Sequence, residues 1–289
     1  MVLRIETAVV HSVGGRTYNE DAWGEAARDG TTCWVVCDGA GGHGGGDVAS
    51  QLAVQHALQA WTDTSQHHHG ASRRVALRER EGASGALHDA VVAADRAVHD
   101  GQRLGSEVAD MRTTIAMLSL DLQERSAAWA HVGDTRVYRF RQGLMCEHTR
   151  DHSLVEQLLR AGLVEGDPSR SHPRRNVLTA ALGGGMAAGS AQFACLPGGL
   201  QAGDAFLLCT DGFWEYVLEG EMEQVLREHL TAAATLAALE QRLRARAQRQ
   251  RQLHRGAHRT GRIARLIRLP PGPGRARSPV RQQPAWRRR

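Results

Sequence analysis

The chain has 289 residues, 36 basic and 31 acidic side chains, and a formal net charge of +5. That length accommodates one large domain or two small ones. No run of about 18 apolar residues occurs, which excludes a membrane-spanning helix. The opening "MVLRIETAVVHS" lacks a charged segment followed by a long apolar core, so a cytoplasmic protein is expected. The net charge hides an asymmetry. All 31 acids lie at or before Glu240, whereas residues 242–289 hold sixteen arginines, which leaves twenty for the body. The body therefore carries −11 and the tail +16, and no basic residue is lysine. A body of that sign is not a nucleic-acid-binding domain; it suits a protein that gathers carboxylates around cations. The five cysteines are scattered and form no CxxC pair. Cys33, Cys37 and Cys209 sit in apolar runs and are expected as buried free thiols.

In chain order, residues 2–10 alternate weakly and predict a strand. "TTCWVVCD" predicts a buried strand ending at an acid. "GDVASQLAVQHALQAW" predicts a helix with Asp47 as its N-cap. Residues 62–85 are polar and read as a loop, in which the run His67–His69 is expected to be solvated. "ALHDAVVAADRAVHDGQRL" predicts a second amphipathic helix. "TTIAMLSL", "AAWAHVGD" and "RVYRFRQG" are strand-like. "SLVEQLLRAG" predicts a short helix capped by Ser153 and stopped by Gly162. A loop-rich stretch over 163–190 precedes "DAFLLCTDG", another strand ending at an acid. "EMEQVLREHL" and "LAALEQRLRARAQR" close the series as helices. Strands interrupted by paired helices, without regular alternation, predict an α+β fold of antiparallel sheets covered by helices. Trp23, Trp34, Trp129 and Trp214 lie on or beside the strands and are expected in the core.

The chemistry is carried by acids at strand ends. Asp38-Gly39 and Asp211-Gly212 both follow apolar runs. An Asp at the mouth of a buried strand is rigid, and a following Gly lets the chain turn and leaves its carbonyl open to a ligand. "RTYNED" adds Arg16, Glu20 and Asp21, and "HVGDTRVY" adds Asp134. Clustered carboxylates repel one another unless cations lie between them or their pKa values rise. Such acids suit hard cations, and an arginine offers a planar fork to a phosphate. Together they point to metal-assisted hydrolysis of a phosphate ester.

The ordered motifs "RTYNEDAWG", "VVCDGAGGHGGGDVAS", "MRTTIAML", "AHVGDTRVYRFRQG", "HTRDHSLVEQLLRAG", "HPRRNVLTAALG" and "GDAFLLCTDGFWEYV" resemble the bacterial metal-dependent protein serine/threonine phosphatases of type 2C, over residues 5–240. The resemblance implies an α-β-β-α sandwich of two antiparallel sheets flanked by helices. It implies hydrolysis of phosphoserine and phosphothreonine on proteins through a water bridging two Mg2+ or Mn2+ ions, with a weaker third ion. Position by position, it implies that Asp38 bridges the metals and Gly39 offers its carbonyl. Glu20 and Asp21 serve one metal, Asp211 the other, and Asp134 with Glu215 the third. Arg16 takes the substrate phosphate, and residues 163–186 form a flap beside the site. The implied partner is a phosphorylated protein, the target of a serine/threonine kinase. A monomer without a membrane or nucleic-acid partner is expected. "DGAGGH" is also reminiscent of the phosphatases of type VI secretion systems. Ala40 stands where many eukaryotic relatives have a histidine; His43 nearby is read as structural or solvent-exposed, and Arg174 and Arg175 as solvated loop charges.

The end of the chain departs from that pattern. The family closes on a strand that opens Asp-Asn, and that Asp is a metal ligand. No Asp follows Asp211 here. Residues 1–241 are therefore expected as the catalytic domain, with its last strand missing or altered, and 242–289 as an arginine-rich disordered tail. The tail reads as a polyanion-binding arm, as the end of a pseudophosphatase that binds phosphoproteins, or as a reading-frame change. For the last, a one-base shift of codons 251–259 permits Asp-Asn-Phe-Thr-Ala-Val-Leu-Ile-Val. Weak metal affinity and much reduced turnover are expected.

Overall fold

The computed structural model describes residues 3–12, 19–41, 45–63, 83–166, 168–184, 187–196, 198–253 and 262–270. Arg16, His43 and His67–His69 lie outside the described residues, as do 254–261 and 271–289.

Among the described residues, eleven strands form two antiparallel sheets. The first has the order β1 (Glu6–Ser12), β11 (Arg262–Arg268), β10 (Asp204–Cys209), β7 (Arg136–Arg141), β8 (Leu144–His148). The second has the order β2 (Asp21–Arg28), β3 (Thr31–Ala40), β5 (Ile115–Asp121), β6 (Ser126–Val132), β9 (Gln192–Leu196), with the short β4 (Arg112–Thr113) on the end of β3. Alternate residues of the central strands are apolar on both sides, as a sheet buried on two faces requires. In β3, Trp34 and Val36 face the opposite sheet, while Cys33, Val35 and Cys37 face α1 (Gly45–Asp63) and α2 (Ala83–Gln102). On the other outer face, Leu207 of β10 packs with α5 (Asp211–Trp214), α6 (Glu219–Glu228) and α7 (Ala232–Leu253). The expected α-β-β-α sandwich is thus observed, completed by two short helices, α3 (Leu154–Arg160) and α4 (Ala187–Ser190).

Local signals held at several ends. Ser153 caps α3 by accepting from the Glu156 amide at 3.2 Å, and Gly162 follows with φ +68°. Cys33, Cys37 and Cys209 are buried free thiols, and burial pushes each thiol pKa up. Trp34, Trp129 and Trp214 are buried, and Trp23 is partly so. Asp47 is not the N-cap of α1. The helix begins two residues earlier at Gly45, and the Asp47 carboxylate accepts from Val48 N in the first turn.

The last strand is altered rather than missing. β11 lies between β1 and β10, near the centre of its sheet, and is made by "RIARLIR" in the frame as it stands. The reason is its period of two. Ile263 and Ile267 enter the core between the sheets, while Ala264 and Leu266 face the helices. Two arginines complete the pattern by finding partners. Arg265 pairs with Glu25 and lies 4.7 Å over Trp23. Arg268 donates to the carbonyls of His229 (2.7 Å) and Leu226 (3.4 Å) at the end of α6, where a cation is favoured, and to Thr235 Oγ1 (2.7 Å). The boundary expected at 241 falls inside α7, which runs to Leu253, so the fold does not end there. Counting arginines hid this alternation. Because Ile267 is fully buried, Ile267→Ala should cost about 2–4 kcal/mol in urea unfolding; unchanged stability would place this segment outside the core.

Candidate metal centre

Strand register makes the corner. β2 begins at Asp21 and pairs it with Asp38 on β3. The Asp21 amide donates to Asn19 Oδ1 at 3.1 Å, and Thr210 Oγ1 donates to Asp21 Oδ2 at 3.1 Å, tying the two sheets at this end. Asp38 is fixed through its backbone. Its amide donates to Thr114 Oγ1 (3.0 Å), and its carbonyl accepts from Thr114 N (2.9 Å) and Thr113 Oγ1 (2.9 Å). Thr114 and Thr135 share a 2.6 Å hydroxyl contact, which links this staple to the residue after Asp134. Gly133, at φ +101°, makes the bend that presents Asp134; a Cβ there would meet Thr114 Cγ2 at 2.5 Å.

Neither Asp-Gly pair is a turn. Asp38 and Gly39 remain in β3, which runs to Ala40. Gly39 is required by close approach: a Cβ would lie 1.9 Å from Gly46 O and 2.6 Å from Glu20 O. Its amide donates to Glu20 O at 3.1 Å. A Cβ at Gly46 would fall 2.8 Å from Glu20 Oε1 and 3.0 Å from Gly39 O, so those two oxygens flank one point at the start of α1. Asp211 instead opens α5, with Gly212 inside the helix and Glu215 at its end.

Several of the acids lie within electrostatic reach of one another. Burial raises the Asp38 pKa well above the carboxylate range. Asp21, Asp211 and Asp134 push it further, and so does a carboxyl–carboxyl hydrogen bond to Asp211. Burial, then Asp211 and Asp151, raise Asp134 likewise, and burial with Asp211 raises Glu215. Asp21, Asp38, Asp134 and Asp211 therefore share one desolvated corner, with Glu20 and the Gly39 carbonyl on its α1 side and Glu215 beyond Asp211. The donors are all hard oxygens whose mutual repulsion a divalent cation would relieve, so their chemistry fits such ions. Among the described residues, no three carboxylate, imidazole or thiolate groups already converge as a ligand shell. Arg16 lies outside the described residues.

Three features escaped the sequence reading. Arg175 is not a solvated loop charge: its Nε donates to Glu215 Oε1 at 2.8 Å. The threonine staple carried no signal beyond ordinary strand composition. Arg262 opens β11 opposite Ser12, and Thr210 N donates to Ile263 O. The ladder therefore ends with Arg262 and Asp211 next to this bonded pair in the chain. The strand that the type 2C pattern opens with a carboxylate is opened here by a guanidinium.

Beside the corner lie two stacked histidines, His131 and His152, with ring centroids 4.8 Å apart. His131 Nε2 contacts Arg150 O at 2.8 Å, and Gly133 N donates to His152 Nδ1 at 3.0 Å.

Two antiparallel sheets packed face to face and flanked by helices, with acids from both sheets near one end, have the architecture of the type 2C class. The profile of the protein phosphatase 2C family matches residues 11–255, and the chain belongs to that family. It is 32% identical over 217 residues to the "Serine/threonine phosphatase stp" of Listeria innocua, covering 75% of this chain and 80% of that one. The structure is similar to PppA, described as a key regulatory component of the type VI secretion system in Pseudomonas aeruginosa (29% identity, TM-score 0.67, 93% of this chain and 99% of that one). It also shares its fold with the catalytic domain of PstP in complex with two manganese ions (22% identity, TM-score 0.68, 93% and 99%).

Two outcomes test the local physics. Gly39→Ala should destabilise by about 3 kcal/mol or more in denaturant titration, since the clash is with backbone. Burial lowers the pKa of His131 from 6.5 to about 4, so the folded state keeps it neutral while the unfolded chain takes up the proton. Stability from this group is therefore complete above pH ~6.5 and falls as pH drops toward 4, by about 2 kcal/mol between pH 7 and 5. Urea unfolding of His131→Gln should show that much less pH dependence than the parent.

Proposed function

We propose that the chain hydrolyses phosphoserine and phosphothreonine esters on proteins with two hard divalent ions, at a rate reduced by the absence of the closing carboxylate. The observation that carries this is the buried convergence of Asp21, Asp38, Asp134 and Asp211 from both sheets, each already repelled by its neighbours. Glu20, Asp21, Asp38 and the Gly39 carbonyl would hold one ion, Asp38 and Asp211 the other, and Asp134 with Glu215 a third. When bound, the ions lower the pKa of water and offset charge on the phosphoryl oxygens. Asp38, held rigid by Thr113 and Thr114, orients the centre. Arg16 is assigned to the substrate phosphate, where its fork would bind two oxygens. The flap over 163–186 reaches the centre through Arg175, which pins Glu215. The partner is a phosphorylated protein of the kind made by a serine/threonine kinase.

One observation favours a second reading, a pseudophosphatase that binds phosphoproteins: Arg262 stands at the head of β11, and no Asp follows Asp211. A polyanion-binding tail is less supported, because several of its arginines are engaged in the fold. Arg246 pairs with Glu221, Arg265 with Glu25, and Arg268 donates to Thr235 and the His229 carbonyl. Mn2+ titration with a phosphothreonine peptide separates the readings. The parent should turn over only at high Mn2+. Asp38→Asn should abolish turnover, by about a thousandfold. Arg262→Asp should lower the half-maximal Mn2+ concentration about tenfold or more. Peptide binding without turnover in the parent and in Arg262→Asp would establish the pseudophosphatase.

A further inference from the structure

We infer that Trp214 is a positioning residue that holds Asp134 at a fixed place relative to Asp211, and that it is itself held by arginines from two other elements. The inference rests on the phosphatase reading only for its catalytic consequence. Trp214 ends α5, the helix that Asp211 opens. Its indole Nε1 donates to the Asp134 carbonyl at 2.9 Å, and the ring is buried. One N–H therefore joins a four-residue helix after β10 to the bend after β6, the two places that supply Asp211 and Asp134. A buried donor of this kind usually keeps its partner, because breaking the bond strands both groups away from water.

The indole is itself held. Arg136 lies 3.6 Å over its ring. That guanidinium is fixed by a bidentate pair with Asp151 (2.8 Å and 2.8 Å) and donates to Tyr138 Oη at 2.9 Å. Arg170, from the flap, donates to the Trp214 carbonyl at 3.0 Å and to Glu219 Oε1 at 2.7 Å. Tyr138 Oη reaches the same Glu219 oxygen at 3.2 Å, which closes the network. Such a mesh fits an indole that must stay in one orientation; packing alone needs no aligned N–H.

Trp214→Phe keeps a ring under Arg136 and removes only the donor. In EDTA, amide hydrogen exchange of residues 133–135 should rise about tenfold while strands β3 and β10 keep the parent's protection. In the Mn2+ titration, the half-maximal Mn2+ concentration should rise with the peptide KM unchanged. Should Trp214→Phe not fold, Arg136→Lys, which loosens the stack and leaves the indole, should give the same local exchange increase. Parent-like exchange at 133–135 in a folded variant would overturn the inference, as would a uniform increase across the whole fold. If the parent shows no Mn2+-dependent hydrolysis, the phosphatase reading fails, and the exchange experiment still decides the role of Trp214.

Discussion

The structure depends on one close approach. Gly39 lies so near Gly46 and Glu20 that no side chain fits, and this contact seats α1 on the end of the β2–β3 hairpin. With that contact made, the Asp21↔Asp38 register is fixed, and both carboxylates come to the same edge of the sheet. The second sheet must then meet this edge, which it does through Thr210 on Asp21. The acidic corner is a consequence of packing that would be stable only in this arrangement, since a one-residue slip of β3 would carry Asp38 to the other face.

Holding several acids in one desolvated place is unfavourable, and the fold offsets it in identifiable ways. Arg175 pairs with Glu215, and the Arg136 guanidinium favours the charged form of Asp134. Threonines 113, 114 and 135 satisfy the surrounding polar groups at short range. Electrostatic strain of this kind is what a bound cation would release.

The arginine-rich end shows how a charge count can mislead. Seven residues with three arginines form a central strand because the other four are apolar and alternate correctly, and because the two inward arginines each find oxygen acceptors. The altered strand restores the sheet and leaves the Asp out. Structural completion and chemical completion are separate here: the backbone ladder needs only amides and carbonyls, whereas the metal needs a specific carboxylate.

The sequence by itself determined the α+β class, the apolar strands, the Ser153 cap and the acids at Asp21, Asp38, Asp134 and Asp211, while the sandwich arrangement came from the resemblance of its motifs to the type 2C family. These are legible because periodicity and strand-end acids are local patterns. It did not determine that β11 would close the sheet, that Arg175 would bind Glu215, or that Trp214 would reach Asp134. Those contacts join residues 40 to 80 positions apart, and the β1–β11 pairing spans the chain. Only tertiary structure decided them, because a guanidinium or an indole N–H acquires its partner from whichever element the packing brings beside it, and local spacing holds no record of that choice.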